Sequence, residues 1–525
     1  MLRSMLLLLL VATVARAEET VTLDTGEISG SVVTKDGAPD VRVYKGIPFA
    51  APPVGDLRWK APRRPAPWKG VRACTSFGSA CPQPSIPLMP VDEPQSEDCL
   101  YLNVWTPAKK TTEKLPVMVW IHGGSYAFGS GGQSIYDGEA LARRGVVLVT
   151  INYRLNAFGF LAHPALSAES GKGSGNYGLL DQIAALEWVK RNIAAFGGDE
   201  GCVTIFGESA GGGSVMALLL SPLAKGLFHR AIAQSGVLFA RPLRESAYGQ
   251  EPAEKIGEHF AAKLGCDTLE AMRQKSAKEI LAAAMLNANP LGEGGHDLGP
   301  VADGWVIPGD PYDLMRQQRD VPLLLGTTAD EGTLFVAGSA PSASAGAYKK
   351  FVTATFGAQA EKVLGLYPAP SDNDVLKALS AFLRDVYFIA PNRAFARSRA
   401  GLSSKTFMYH FTRATPLAKT MGLGAHHAAE LRYVFETLDG PGSFGYEAKD
   451  HPLSEKMAAA WVRFARTGDP NGEGLPEWPA YTKEKDEHLE LGEEIRVRSG
   501  LQREACDTLD RAWAAMHARS VKRWL

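Results

Sequence analysis

Cysteine is scarce in this chain, with six among 525 residues: Cys74, Cys81, Cys99, Cys202, Cys266 and Cys506. No two of them, and no two of the 11 histidines, stand at the close C-x-x-C or H-x-x-x-H spacing that grips a zinc ion, so no metal and no other cofactor is expected. A surplus of either charge is also lacking, since 56 Lys and Arg face 57 Asp and Glu. That balance gives no basic face for a nucleic-acid partner. Internal repeats, low-complexity tracts and Ser/Gly-rich or charged linkers are absent, which excludes a solenoid and favours a single domain over residues 18–525. After the first 17 residues there is no further run apolar enough to span a membrane.

Those first residues, MLRSMLLLLLVATVARA, supply Arg3, an apolar stretch from Met5 to Val14, and Ala15-Arg16-Ala17 as an A-x-A cleavage site. About ten apolar residues are too few to cross a hydrocarbon core that needs about 20, so a cleaved signal peptide over residues 1–17 is expected. The destination implied is secreted or periplasmic, with no membrane span left after cleavage. Removal takes two of the 56 basic residues and none of the 57 acidic ones, leaving a mildly acidic protein. Export would permit disulfides, whose pairing does not follow from residue spacing.

What is present is organised around Thr204–Gly213, TIFGESAGGG. An apolar run containing Val203, Ile205 and Phe206 stops at Gly207, and Gly207-Glu208-Ser209-Ala210-Gly211 fits G-x-S-x-G. In that pentad the glycines let a strand and the next helix approach closely, holding the serine on a strained bend with its hydroxyl exposed. With 54 glycines in the chain, such a pentad arises by chance on the order of a few tenths of a time. Its surroundings carry the weight.

Upstream, TVTLDTGEISGSVV alternates apolar and polar residues and reads as a hairpin around Gly26 and Gly30. The proline-rich segment from Gly46 to Trp68 reads as a fixed, extended, non-helical loop. CLYLNVWTP and LPVMVWIHGG read as strands, the second apolar on both faces as in a central strand. Gly123 and Gly124 end it, and the small-residue loop SYAFGSGG that follows is suited to aiming backbone N–H groups at a substrate oxygen. VVLVTINYR is a further strand. In NYGLLDQIAALEWVKRNIAAFGGD, the recurrence of Leu179, Ile183, Leu186, Val189 and Ile193 predicts an amphipathic helix ended by Gly197-Gly198. Cys202, just before the strand under the serine, reads as a buried free thiol. AIAQSG at 231–236, VPLLLGTT at 321–328 and TFMYHFT at 406–412 complete a βαβ grammar that calls for a mostly parallel sheet with helices on both faces. Residues 240–300 and 335–400 are mainly helical in pattern and read as insertions that cap strand ends and form a pocket rim.

A serine of ordinary pKa needs a histidine to take its proton and an acid to orient that histidine. Ala329-Asp330-Glu331-Gly332 follows one late strand, and Gly424-Ala425-His426-His427-Ala428-Ala429-Glu430 follows the next. Each stretch offers two neighbouring candidates. His410, inside a strand pattern, reads as structural.

With these residues in place, the chain resembles a type-B carboxylesterase of the cholinesterase-like α/β-hydrolase family. The likeness runs from Val21 to about Tyr481 through YKGIPFAAPPVGDLRW, SEDCLYLNVW, VMVWIHGGSYAFGSG, INYRLNAFGFL, VTIFGESAGG, GPVADGWVIP, ADEGTLF, HHAAELRYVF and FARTGDPN. The resemblance implies Ser209 as nucleophile, Glu331 as acid and His427 as base; only His427 has Glu430-Leu431 at the offset of the family pattern His-x-x-Glu-Leu. It implies an oxyanion hole from the backbone N–H groups of Gly124, Ser125 and Ala210, with Ser125 standing where the family's usual third glycine would be. A side chain there narrows the loop beside the acyl carbon, against bulky or tertiary-alcohol esters. It also implies a Cys81–Cys99 disulfide, ion pairs Arg58 with Glu97 and Arg154 with Asp181 beneath the site, and no partner for Cys266, since Ala271 occupies the place expected for one.

The activity implied is that of an exported serine carboxylesterase acting on a small-molecule ester through an acyl-enzyme on Ser209. A lactonase or amidase using the same triad stays open. A cholinesterase-like adhesion module, which typically lacks the serine or the histidine, is disfavoured because all three triad members stand in their motifs.

Overall fold

The structure is a computed structural model in which residues 20–86, 90–237, 239–245, 251–284, 298–336 and 343–521 are described. Residues 1–17, read above as a signal peptide, lie outside them, as do residues 246–250, 285–297 and 337–342 of the two insertions.

Eleven strands form the main sheet: β1 Ser31–Val33, β2 Val41–Pro48, β3 Tyr101–Thr106, β4 Leu115–Ile121, β5 Val147–Ile151, β6 Gly198–Glu208, β7 Arg230–Gln234, β8 Leu323–Thr328, β9 Thr406–Phe411, β10 Glu487–Leu491 and β11 Ile495–Ser499. Their order is β11-β10-β9-β8-β7-β6-β4-β5-β3-β2-β1. The seven strands from β10 to β5 pair in parallel, while β11 and the β3-β2-β1 edge pair antiparallel. Period-two alternation explains why the central strands are apolar throughout. Val117, Val119 and Ile121 of β4 enter one core while Met118 and Trp120 enter the other, and both faces are buried.

On the first face lie α1, Tyr177–Asn192, and α2, Ala210–Leu220. The Leu179-Ile183-Leu186-Val189 stripe is buried as its spacing requires. The α-helix itself ends at Asn192; a 3₁₀ turn, Ile193–Phe196, follows before Gly197 takes φ 79°. Every residue of α2 is buried, so it is held from all sides. The opposite face is covered by α3, Asp450–Thr467, through Leu453, Met457, Trp461 and Phe464. There the ring of Trp120 meets Phe206, Tyr136 and Phe435 at centroid distances of 4.8, 4.9 and 5.0 Å. Truncating such a buried Trp to Ala typically costs about 3–5 kcal/mol.

The hairpin pairs Thr20–Leu23 with Gly26–Ser29, turning at Asp24-Thr25 rather than around Gly26 and Gly30. The segment from Gly46 to Trp68 begins inside β2 and makes one 3₁₀ turn, Gly55–Leu57, so it is not wholly extended. Cys202 lies within β6, partly exposed rather than buried, with its sulfur 3.1 Å from Arg230 Nη1. The described parts of the two insertions are mainly helical. The second has a small core of its own, in which Tyr348, Val352, Phe356 and Phe382 pack with Cys506 and Leu509 of the C-terminal helix, Arg503–Val521. A π-helical stretch, Arg384–Ile389, interrupts its last helix.

Candidate active site

Ser209 stands where β6 turns into α2, with φ 58° and ψ −123°. A non-glycine residue there costs on the order of 1–3 kcal/mol and persists only where its surroundings force it. A Cβ on Gly207 would fall 2.6 Å from the Gly211 backbone and from Ile121 O, and one on Gly211 would fall 2.0 Å from Ile121 O. Only glycine lets helix and strand meet this closely, and Ser209 N donates to Gln234 O at 2.9 Å on the neighbouring strand.

β8 and β9 deliver the other two groups. Asp330 and Glu331 leave the end of β8, and a bridge pairs Asp330 with His426 in the loop after β9. Within that bridge the adjacent candidates separate. Asp330 Oδ2 accepts from Ala425 N at 2.8 Å, and His426 Nδ1 lies 2.8 Å from His427 O, so both build the loop. Glu331 and His427 face one another instead, with Nδ1 2.6 Å from Oε2. The second oxygen of Glu331 accepts from Ser235 Oγ at 2.6 Å and Thr328 N at 2.8 Å. Glu331 is thus fully buried and fixed by three donors. His410 sits in β9 with Nδ1 3.2 Å from Thr327 Oγ1 and does not enter this group.

Two more carboxylates crowd the histidine. Glu208 Oε1 stands 3.2 Å from His427 Nε2 but outside hydrogen-bond geometry. Glu430 Oε1 accepts from Gln234 Nε2 at 3.1 Å and from Tyr409 Oη at 3.0 Å. Burial, with Glu430 and Glu331 close by, pushes the Glu208 carboxyl up to about 8 against the pull of His427, and burial likewise raises Glu430. Burial alone would lower His427, but the carboxylates of Glu208, Glu331 and Glu430 raise it to about 9. Phe335 and Phe388 lie against the His427 ring at centroid distances of 5.1 and 4.8 Å. Phe388 comes from the π-helical stretch.

Gly124 and Ser125 follow the end of β4 in left-handed conformations, φ 101° and 54°. A Cβ on Gly123 would come within 3.1 Å of the Ser209 Cβ, so this loop lies directly against the serine. Ala210 is the first residue of α2, and its N–H belongs to the unpaired first turn of that helix. Ser125 is exposed. Burial holds His122 neutral, down at about 4; its Nδ1–H donates to Gly123 O at 2.8 Å and its ring stacks on Tyr153.

Both expected ion pairs are formed: Arg58 Nη2 with Glu97 Oε1 at 2.5 Å, partly buried, and Arg154 with Asp181, buried, through contacts of 2.7, 2.8 and 3.0 Å. Cys81 and Cys99 are buried thiols without an S–S bond between them, and the neighbouring Cys81, together with burial, pushes the Cys99 thiol well up. Cys266 is a buried thiol whose sulfur contacts Leu264 O at 3.6 Å. No group of three or more potential metal ligands occurs among the described residues.

Sequence reasoning missed Glu208, Glu430 and Ser235 as members of the site. Two of them lay inside the quoted motifs, at the second position of the pentad and at the Glu of His-x-x-Glu. Ser235 follows Gln234 at the end of β7 in the left-handed region, φ 46°, and nothing in the chain pattern marks it.

A strained serine after β6, a glutamate after β8 and a histidine after β9 of a parallel sheet form the arrangement of a serine hydrolase site on the α/β-hydrolase fold. Residues 17–509 match the Carboxylesterase family. The chain is 39% identical over 498 residues to the para-nitrobenzyl esterase of Bacillus subtilis, covering 91% of this chain and 96% of that protein. It is 38% identical over 489 residues to the fumonisin B1 esterase of Sphingopyxis macrogoltabida, covering 90% and 87%. Among solved structures, a PNB esterase superposes with a TM-score of 0.81 at 37% identity, covering 94% of this chain and 100% of that one. A thermophilic PNB esterase gives 0.82 at 36%, with the same coverage. The chain belongs to the carboxylesterase family, and it is an enzyme of the carboxylic-ester hydrolase class.

Proposed function

We propose that the chain is exported and hydrolyses small-molecule carboxylic esters through an acyl-enzyme on Ser209. The observation that carries the reading is the 2.6 Å contact between His427 Nδ1 and Glu331 Oε2, made beside a serine held in a strained turn. Held this way, His427 presents Nε2 as the base. Ser209 Oγ attacks the ester carbonyl as its proton passes to Nε2, and the carbonyl oxygen takes the negative charge. The N–H groups of Gly124, Ser125 and Ala210 hold that oxyanion; each such donor is typically worth about 10²–10³ in turnover. The C–O bond to the alcohol then breaks, and the leaving oxygen takes the proton from Nε2. Water attacks the acyl-enzyme with His427 again taking a proton, which returns to Ser209 as the acid departs.

Phe335 and Phe388 give the site an apolar wall beside His427, which supports esters with an apolar acyl or alcohol body. The signal-like residues 1–17 support export to a secreted or periplasmic location, where Cys81 and Cys99 would be oxidised to a disulfide. A panel of p-nitrophenyl esters of increasing acyl length, run beside aryl esters, lactones and amides, tests the reading. Ester turnover well above the lactone and amide rates is expected, and a preference for amides or lactones would overturn it. For export, N-terminal sequencing of the extracytoplasmic protein should begin at Glu18, and a start at Met1 would refute cleavage.

A further inference from the structure

The turn that carries Gly124 and Ser125 is held from outside as well as by its own hydrogen bonds. Ser125 and Tyr126 are consecutive non-glycine residues in the left-handed region, with φ 54° and 59°, a combination that persists only where its surroundings impose it. Inside the turn, Gly124 O accepts from Ala127 N at 2.8 Å and Phe128 N at 3.0 Å. At its far end Gly129 is pressed against its beginning, where an added Cβ would fall 2.5 Å from His122 Nδ1 and 2.9 Å from Gly123 O. Gly129 is thus packed directly against His122 and Gly123.

Gly129 is gripped from another part of the chain. Its N–H donates to Gln83 Oε1 at 2.7 Å, and its carbonyl accepts from Gln83 Nε2 at 3.0 Å. With a donor and an acceptor to satisfy together, one orientation of the amide serves both. The same Nε2 donates to Cys81 O at 3.0 Å, and Gln83 N donates to Gln95 Oε1 at 3.0 Å, so the amide is itself fixed within its own loop. Gln83 is buried, where such bonds are electrostatically stronger than in water. Asn156 joins the same two segments from the other side: its N donates to Tyr126 O at 2.6 Å and its Nδ2 to Pro82 O at 2.9 Å.

We propose that Gln83 is a positioning residue of the oxyanion hole, its side-chain amide holding the 124–129 turn in the strained form that aims the Gly124 and Ser125 N–H groups at the substrate oxygen. The proposal rests on the acyl-enzyme reading above. The decisive variant is Gln83→Met, which fills the same space without hydrogen bonds. It is assayed in the full chain, well below its thermal midpoint, with p-nitrophenyl butyrate and with a trifluoromethyl ketone that forms a hemiketal on the serine. A loosened oxyanion hole should lower kcat about tenfold or more, less than the 10²–10³ for a donor removed outright. KM should stay within about twofold, and the ketone should weaken in parallel with kcat/KM, because it too needs the oxyanion donors. Gln95→Ala, which loosens the same loop but leaves the Gln83 amide on Gly129, should cost clearly less in kcat than Gln83→Met.

If Gln83→Met does not fold, Gln83→Glu serves instead. Its carboxylate repels Gly129 O and regains a donor only when protonated, so turnover relative to wild type should rise as pH falls. Wild-type kcat and ketone affinity in Gln83→Met, or a pH-independent ratio in Gln83→Glu, would overturn the proposal. Ser209→Ala, run alongside, separates the two levels. An inactive Ser209→Ala with an unaffected Gln83→Met refutes only the positioning role, whereas an active Ser209→Ala refutes the acyl-enzyme.

Discussion

Glu208 Oε1 and His427 Nε2 stand 3.2 Å apart, so the carboxyl group just before Ser209 lies against the imidazole proposed as the base. Burial opposes a proton on His427, yet Glu208, Glu331 and Glu430 together raise it to about 9. A protonated His427 cannot accept the serine proton. The activity should therefore fall on the acid side, with the limb of kcat/KM lying above the ordinary histidine value of about 6.5.

Replacing Glu208 by Gln removes the first of these raising charges. The acid limb should then move to lower pH by about one unit or more, the size expected for a charge within about 4–6 Å. A profile of kcat/KM against pH checks this, and a limb that stays put or moves upward contradicts the assignment of Glu208.

The adjacent candidates at each triad position should part sharply. His427→Ala and Ser209→Ala should each cost several orders of magnitude in kcat and the double variant little more, because removing one member already disables the unit. Glu331→Gln should cost up to about 10⁴, by analogy with the acid of other triads. His426→Ala and Asp330→Asn, whose side-chain hydrogen bonds go to loop backbone, should be far milder. Single-turnover and steady-state rates of the six variants measure this. Abolished turnover in His426→Ala with an active His427→Ala would overturn the register of the His-x-x-Glu-Leu match.

In exported protein Cys81 and Cys99 should be joined. Non-reducing peptide mapping should recover the linked peptides, and reduction should lower the thermal midpoint, since closing a loop of about 18 residues contributes roughly 3 kcal/mol in the chain-entropy model. Recovery of Cys81 free, or bonded to Cys74, would count against the pairing.

Stability should decline in mild acid through His410 and His488, neighbours on β9 and β10 that burial holds neutral at about 3 and about 4. Both values lie below the unfolded one of about 6.5, so the unfolded chain binds more protons as pH falls. Their contribution is complete above about pH 6.5 and is lost as pH drops towards 4 and 3. The thermal midpoint should follow that window, and His410→Gln should flatten it. An unchanged slope in that variant would exclude His410 as a source.

Much of this site was legible in the chain because the chemistry sits where strands end. Gly207 to Gly211 announces a turn that only small residues permit, and the alternation of Val117, Val119 and Ile121 with Met118 and Trp120 announces a strand covered on both sides. The choice between His426 and His427 came from the family pattern; in the structure it rests on which ring reaches Glu331. Residues that act across long separations left no local mark. Gln83 meets Gly129 and Ser235 meets Glu331 only after the sheet is assembled. The 3₁₀ turn at Gly55–Leu57 hid within a proline-rich stretch because a single such turn needs no periodicity.

The central claim is that Ser209 carries the acyl group. The most direct test is intact-protein mass measurement after rapid acid quench of a slowly deacylating p-nitrophenyl ester, with peptide mapping of any adduct. One acyl mass added per chain, located on Ser209 and absent from Ser209→Ala, is the predicted result. Turnover with no adduct at any quench time, together with undiminished hydrolysis by Ser209→Ala, would contradict it.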